Sequence, residues 1–321
     1  SDWSTVILSN STCTIISLVM QVNRSTIRKY DRKKVPMAIT KFLCLSFTFT
    51  LFVGLIGCSS QNDTPIKNQS INSEVPSMTD NFKLEHEFTG FSSPTAIAFD
   101  SANNMYVSNW GDGTVTKINA DGLTSTFISD LGAPAGLAVD SEDNLYIADY
   151  SGDVIYKCSS SGQIETFAQS LHTPTGISLN SAGELLVANR SSNEIIKIDK
   201  EGNIITLSKQ MDVPVGVIEM DDTLYTTNYG GNILTITSNN YTNTLSTEFG
   251  RPGVGIDVDH NGTIYAADNG NDCVRIINSD GSTKVIIKDI EGCVGLKIHS
   301  DTLYVSSWNE GSVYAYSFPT K

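Results

Sequence analysis

Histidine is scarce in this chain of 321 residues: only His86, His172, His260 and His299 are present. They are scattered, and none of them pairs at the short spacing of a zinc site. Gly-x-Ser-x-Gly, a Walker loop and Cys-x-x-Cys are also missing. A strand-to-helix nucleophile elbow, a backbone cradle for nucleotide phosphate and a redox dithiol therefore have no support. Basic residues are few and unevenly placed. Seven of the 21 Lys and Arg precede Cys58, beside only Asp2 and Asp31, so the remainder holds 14 basic against 33 acidic residues, a net charge of −19. A body of that sign repels phosphate backbones, which argues against nucleic-acid binding. With 40 % hydrophobic residues, 25 Gly and six Cys, the whole chain is neither disordered, collagen-like nor a disulfide miniprotein.

The first eighty residues read as an address. Residues 1–36 lack sustained periodicity and are expected to be an extension ahead of a start at Met37. A short basic stretch ending at Lys41 and an apolar run, Phe42 to Ile56, follow. Those 15 residues suit a signal segment over residues 37–57 better than a spanning helix, which needs roughly 20; a transmembrane anchor is the alternative. Leu55-Ile56-Gly57-Cys58 resembles a bacterial lipobox. The resemblance implies cleavage before Cys58, a diacylglycerol on its sulfur, and a place in the bacterial cell envelope, at the outer membrane if the host is diderm. Residues 58–82, rich in Ser, Asn, Asp and Pro, read as a flexible tether.

From residue 83 one motif is written six times. Pro94-Thr-Ala-Ile-Ala-Phe-Asp100, Pro134-Ala-Gly-Leu-Ala-Val-Asp140, Pro174-Thr-Gly-Ile-Ser-Leu-Asn180 and Pro214-Val-Gly-Val-Ile-Glu-Met220 recur every 40 residues. Weaker copies lie at Gly255–Asp259 and Cys293–Ile298. A second element, such as Leu145-Tyr-Ile-Ala-Asp149, follows each, and two further alternating runs complete each copy. A period near 40 with four short strands predicts an all-β, six-bladed propeller over residues 83–321. The sixth copy stops after three strands, and Lys83–Phe88 supplies the missing outer strand, closing the ring.

These signatures, Pro-x-Gly-φ-Ala-φ-Asp and Leu-Tyr-φ-Ala-Asp, resemble the NHL-type repeat. Related propellers include gluconolactonase/regucalcin-like hydrolases, strictosidine-synthase-like enzymes, amidating lyases and non-catalytic binding domains, so the resemblance implies fold and leaves activity open. In the gluconolactonase-like family a divalent metal sits at the channel mouth, with Asn and Asp ligands just before the Gly of the first strands. Here those positions are Thr95, Ala135, Thr175, Val215, Val254 and Val294, and a hard cation finds no carboxylate or amide among them. The amidating lyases resemble this chain in fold but use several histidines on zinc, for which four scattered His do not suffice. No cofactor is expected. A calcium loop is a weak alternative at Asp257, Asp259 and Asn261, although Asp259 and Asn261 also fit an ordinary turn between strands.

The residue after each second-strand Asn or Asp reads Trp110, Tyr150, Arg190, Tyr229, Asn269 and Trp308, a single register that blade geometry brings to one face. The loops before the inner strands add His172, Arg251 and Glu291. The expected site is a concave mouth with aromatic walls and cationic heads. It suits a small molecule, glycan or protein partner presenting flat faces and a carboxylate, bound by a monomer held to the membrane through its lipid. The alternative reading has the same aromatics cap the interfaces between blades. An enzyme of the hydrolase or lyase type with a non-standard site, and a purely structural scaffold, are the other function classes. Asp257 and Lys297 share a register in adjacent blades and are expected to pair, with roughly 3–5 kcal/mol lost on removing one partner if the site is dry. Cys273 and Cys293 fall on the mouth face of neighbouring blades and are expected to form a disulfide, with two buried thiols as the alternative; Cys158 is expected to be free.

Overall fold

The computed structural model describes residues 82–319; the extension, the signal segment, Cys58 and the tether up to residue 81 lie outside them. Six four-stranded antiparallel sheets stand around an axis. Blade one consists of Pro94–Phe99, Met105–Asn109, Thr114–Ile118 and Thr124–Ile128. The inner strands of the next five blades are Pro134–Val139, Pro174–Leu179, Pro214–Met220, Pro252–Val258 and Cys293–His299. Each packs on its neighbour, and the sixth packs on the first. Blade six is completed from the other end of the propeller: Lys83–Thr89 runs antiparallel to Ser312–Ser317, pairing Thr89 with Ser312 and Lys83 with Ser317. Each blade keeps two edges, an innermost strand facing the axis and an outermost strand facing solvent, both short, which is how radial repetition limits the aggregation hazard of an open sheet.

The alternating sequence of the strands becomes two buried faces because every sheet is flanked by two others. Second strands such as Leu145–Asp149 and Leu185–Asn189 are buried at all five positions. Tyr106, Val115 and Ile128 of blade one interlock with Leu137, Leu145 and Ile147 of blade two, and similar clusters fill the other interfaces. The outer strands carry the alternation to solvent: Thr124–Thr126 is exposed while Ile128 is buried.

Near the axis the inner strands come too close for side chains. A Cβ on Gly176 would meet the Val215 carbonyl, and one on Gly295 the Thr95 carbonyl, both of them backbone atoms that cannot turn away. Hydroxyls stitch some of these strands together. Ser108 Oγ accepts from Ala96 N–H at 2.8 Å and donates to the Ala135 carbonyl at 2.7 Å, and Ser306 and Thr227 make corresponding bonds to the next blade.

Three sequence expectations need correction. Blade five does have the repeat proline, Pro252, which pairs with Asp268 as Pro214 pairs with Asn228; an inserted residue, Gly253, precedes Val254-Gly255 and disguised it. The tether ends earlier than residue 82, because Phe82 packs on Phe318 at 5.3 Å and on Tyr265 at 6.5 Å between ring centroids. Cys273 and Cys293 are not bridged: both are free and buried, as is Cys158. Burial pushes the Cys273 thiol up to about 11 and the Cys293 thiol well above its usual range. Each thiol therefore stays protonated, which suppresses the thiolate needed for disulfide exchange.

Candidate functional site

The Asn or Asp that closes each second strand is a buried fastener. Asp149 accepts from Gly132 N–H at 2.7 Å, Ala133 N–H at 2.9 Å and Gly152 N–H at 3.1 Å. Asn189 accepts from His172 N–H at 2.7 Å, Asn228 from Asp212 N–H at 3.0 Å, and Asp268 from Gly250 and Arg251 N–H at 3.0 Å each. Blade six uses Ser307, which donates instead to the Glu291 carbonyl. Each bond draws the loop ahead of an inner strand onto the end of the second strand. The following residue is then fixed by its own N–H: Trp110 donates to Ser93, Tyr150 to Ala133, Arg190 to Thr173, Tyr229 to Val213 and Trp308 to Gly292 carbonyls, at 2.9–3.3 Å. Ser93, Thr173 and Val213 adopt left-handed backbone with φ of 49°, 49° and 56°. For a β-branched residue such as Val213 that conformation costs on the order of 1–3 kcal/mol, and such strain concentrates at functional sites.

All six ring positions, Trp110, Tyr150, Arg190, Tyr229, Asn269 and Trp308, line one cavity of about 220 Å³. Trp110 lies 5.6 Å from Trp308 and 4.7 Å from Tyr150, between ring centroids. Arg190 donates to the Tyr150 hydroxyl at 2.8 Å, and its guanidinium stands 5.7 Å from the Tyr150 ring and 5.4 Å from the Tyr229 ring. Arg251 stands 5.3 Å from the same Tyr229 ring and is exposed at the rim. The result is an unbroken arc from Trp308 to Arg251. Asn269, of blade five, lines the cavity between the two ends of that arc, as do Thr95, Thr175, Val215, Val254 and Val294.

His172 does not join this cup: its side chain is exposed, and only its backbone is used, by Asn189 and Ser191. Glu291 is likewise exposed and outside it. Thr95, Thr175, Val215, Val254 and Val294 were noted in the sequence only for lacking metal-binding oxygens and not as part of the site, and Pro252 and Gly253 were missed altogether. Their signal was a proline spacing of 38 instead of 40 between Pro214 and Pro252.

The weak calcium reading is overturned by where its carboxylates are spent. Asp259 accepts from Asn261 and Thr263 N–H at 2.8 and 2.9 Å and from the Tyr265 hydroxyl at 3.2 Å. Asp100 and Asp140 hold the equivalent turns in blades one and two. These bonds outweigh burial, which alone would raise a carboxyl, and keep all three below the usual range. Asp257 points elsewhere. It meets Lys297 at 2.9 Å and accepts Ile298 N–H at 2.8 Å, lining a second cavity of about 270 Å³ along the axis with Glu219 and the inner strands. The expected pair forms, but the Lys297 side chain is 40 % exposed, so the dry-site loss does not apply and the pair contributes at most about 1 kcal/mol.

No known family's sequence profile and no curated protein matches the chain. Solved structures do share its fold. A gluconolactonase from Xanthomonas campestris superposes with a TM-score of 0.66 at 14 % identity, covering 74 % of this chain and 95 % of that one. A streptogramin B lyase gives 0.59 at 16 % identity, covering 74 % and 98 %. A chain of a nidogen/laminin complex gives 0.59 at 19 % identity, covering 66 % and 88 %. At these identities the likeness is one of architecture: the described residues form a six-bladed propeller of the kind these structures share.

Proposed function

We infer that this propeller is a binding module that takes a small molecule, a glycan or a projecting group of a protein into the cup at its mouth, and that a lipid on Cys58 holds it in a bacterial envelope. One observation carries the first part. Six residues of a single repeat register converge on one cavity whose lining includes no Asp, Glu, His, Lys or Cys. Such a cup offers stacking faces and a guanidinium, and its tyrosine and threonine hydroxyls are the groups in the lining that could carry a proton or act as a nucleophile. The same fold occurs in a nidogen/laminin complex, which accords with a protein ligand. The anchor rests on the lipobox resemblance alone.

A ligand panel read by tryptophan emission tests the cup, since Trp110 and Trp308 both line it. Replacing either with Ala is expected to abolish binding while lowering stability by less than the roughly 3–5 kcal/mol of a fully buried Trp, because both are partly exposed. The opposite pattern refutes the reading. Fatty-acid labelling that persists in Cys58→Ala refutes the anchor.

An enzymatic reading has one observation in its favour. Of the two tyrosines that line the cup, Tyr150 has a hydroxyl to which Arg190 donates. Gluconolactonase and streptogramin B lyase share the architecture. Lactone or cyclic-depsipeptide turnover that disappears in Tyr150→Phe would establish this reading in place of simple binding.

A further inference from the structure

We propose that the cup is selective for a carboxylate carried on a sugar ring, that is, for a hexuronate-type residue, free or at the end of a glycan. The proposal rests on the mouth-binding reading and names what that mouth prefers.

The first ground is charge. Beyond residue 57 the chain has a net charge of −19, yet no carboxylate lines the cup and its one charged lining residue is Arg190. Among the described residues there are three arginines. Arg275 is matched to the buried Asp268 at 2.7 Å, whereas Arg190 and Arg251 have only aromatic and hydroxyl neighbours. Two guanidiniums left without a carboxylate in so acidic a protein are poised for an external anion. Both stand over Tyr229, whose face partly excludes water and strengthens any charge-assisted bond made there. A planar carboxylate matches the guanidinium fork, and a monoanion meets less repulsion from the acidic body than a dianion does.

The second ground is the division of the cup into a flat side and a hydrogen-bonding side. Trp308, Trp110 and Tyr150 give a continuous aromatic wall, which suits the apolar C–H face of a sugar. The Thr95 and Thr175 hydroxyls donate to the Ser93 and Thr173 carbonyls at 3.2 and 3.1 Å, so their oxygens keep lone pairs for ligand hydroxyls. Among the described residues none hydrogen-bonds to the Asn269 amide, which offers both a donor and an acceptor. A cavity of about 220 Å³ is below the roughly 300–1,000 Å³ of drug-sized pockets, which fits one ring and not an extended chain.

The test titrates the full chain with D-glucuronate, D-glucose and benzoate, following tryptophan emission and heat of binding at two salt concentrations. D-glucuronate is expected to saturate, and D-glucose to bind at least tenfold more weakly. Arg251→Gln, at an exposed position, and Arg190→Lys, which keeps the charge but loses the fork, are each expected to weaken D-glucuronate by about tenfold or more, the size of a lost charge-assisted bond. Neither is expected to change D-glucose, and thermal melts report on folding. Equal binding of D-glucose and D-glucuronate, or no effect of the arginine variants, overturns the proposal; if Trp110→Ala still abolishes both ligands, the mouth-binding reading survives it. Tighter binding of benzoate than of D-glucuronate overturns the sugar preference. If no probe binds, the proposal falls, and the mouth reading stands only if capture of a protein partner depends on Trp110.

Discussion

Asp149→Ala tests whether the buried fasteners set the mouth. In the wild type the carboxylate, 2 % exposed, satisfies three backbone N–H groups, of which Gly132 and Ala133 hold the loop ahead of Pro134. Hydrogen bonds to a charged group contribute about 1.5–3 kcal/mol each, but the three do not simply add, because Gly132 and Gly152 can turn to water. Ala133 is 4 % exposed and cannot do so readily. An expected loss of about 3 kcal/mol corresponds to roughly 6–12 °C in melting temperature for a domain of this size. Asp149→Asn is the control, since Asn189 and Asn228 perform the task in neighbouring blades with a single oxygen; it is expected to cost about 1 kcal/mol. Calorimetry measures both. The freed loop also releases Tyr150, so near-ultraviolet dichroism from the Trp110–Tyr150 contact should diminish in the Ala variant. A melting temperature for Asp149→Ala within 2 °C of wild type would refute the reasoning and leave the repeat Asn/Asp without its assigned task.

Val213→Gly removes left-handed strain from a β-branched residue at φ 56° and is expected to stabilise by about 1 kcal/mol, seen as a higher denaturant midpoint with an unchanged slope. Asp100, Asp140 and Asp259 titrate below the usual carboxyl range when folded. Their contribution is complete above the unfolded value near 4 and is lost as pH falls through the lower folded values, so melting temperature should drop steeply below about pH 4. A double-mutant cycle on Asp257 and Lys297 should give a coupling of at most about 1 kcal/mol, given the 40 % exposure of the lysine; a coupling of about 3 kcal/mol or more would mean a dry pair. Cys158, Cys273 and Cys293 should all resist alkylation when native and react fully, without reductant, in denaturant; failure of Cys273 and Cys293 to react would restore the disulfide.

The fold was legible because each blade repeats its turn chemistry as well as its apolar alternation, so even the strand that closes the ring could be found in Lys83–Phe88. The ring of six mouth residues was legible for a related reason. A side chain one position beyond a repeated, buried Asn or Asp has its direction set by backbone bonds that hardly vary between copies. What escaped the sequence depends on the surroundings of single residues. Nothing in the motif shows that Lys297 reaches solvent, that His172 turns outward, or that Cys273 and Cys293 remain separate thiols. Pro252 was hidden by one inserted glycine, which shifts the pattern locally without altering the pairing of that proline with Asp268.

The strand that closes the ring also decides on which side the chain enters the propeller. Lys83 pairs with Ser317, Ser317 with Thr302, and Thr302 with His299, all at the end of blade six opposite Cys293, Ser307 and the cup. The preceding chain therefore joins the wheel on its back. If a lipid on Cys58 holds the protein to a membrane, the leash of residues 59–81, at most roughly 80 Å when fully drawn out, attaches to the side away from the mouth. The leash would then leave the mouth unobstructed, and the cup could be reached by whatever diffuses past or is displayed by a neighbouring structure.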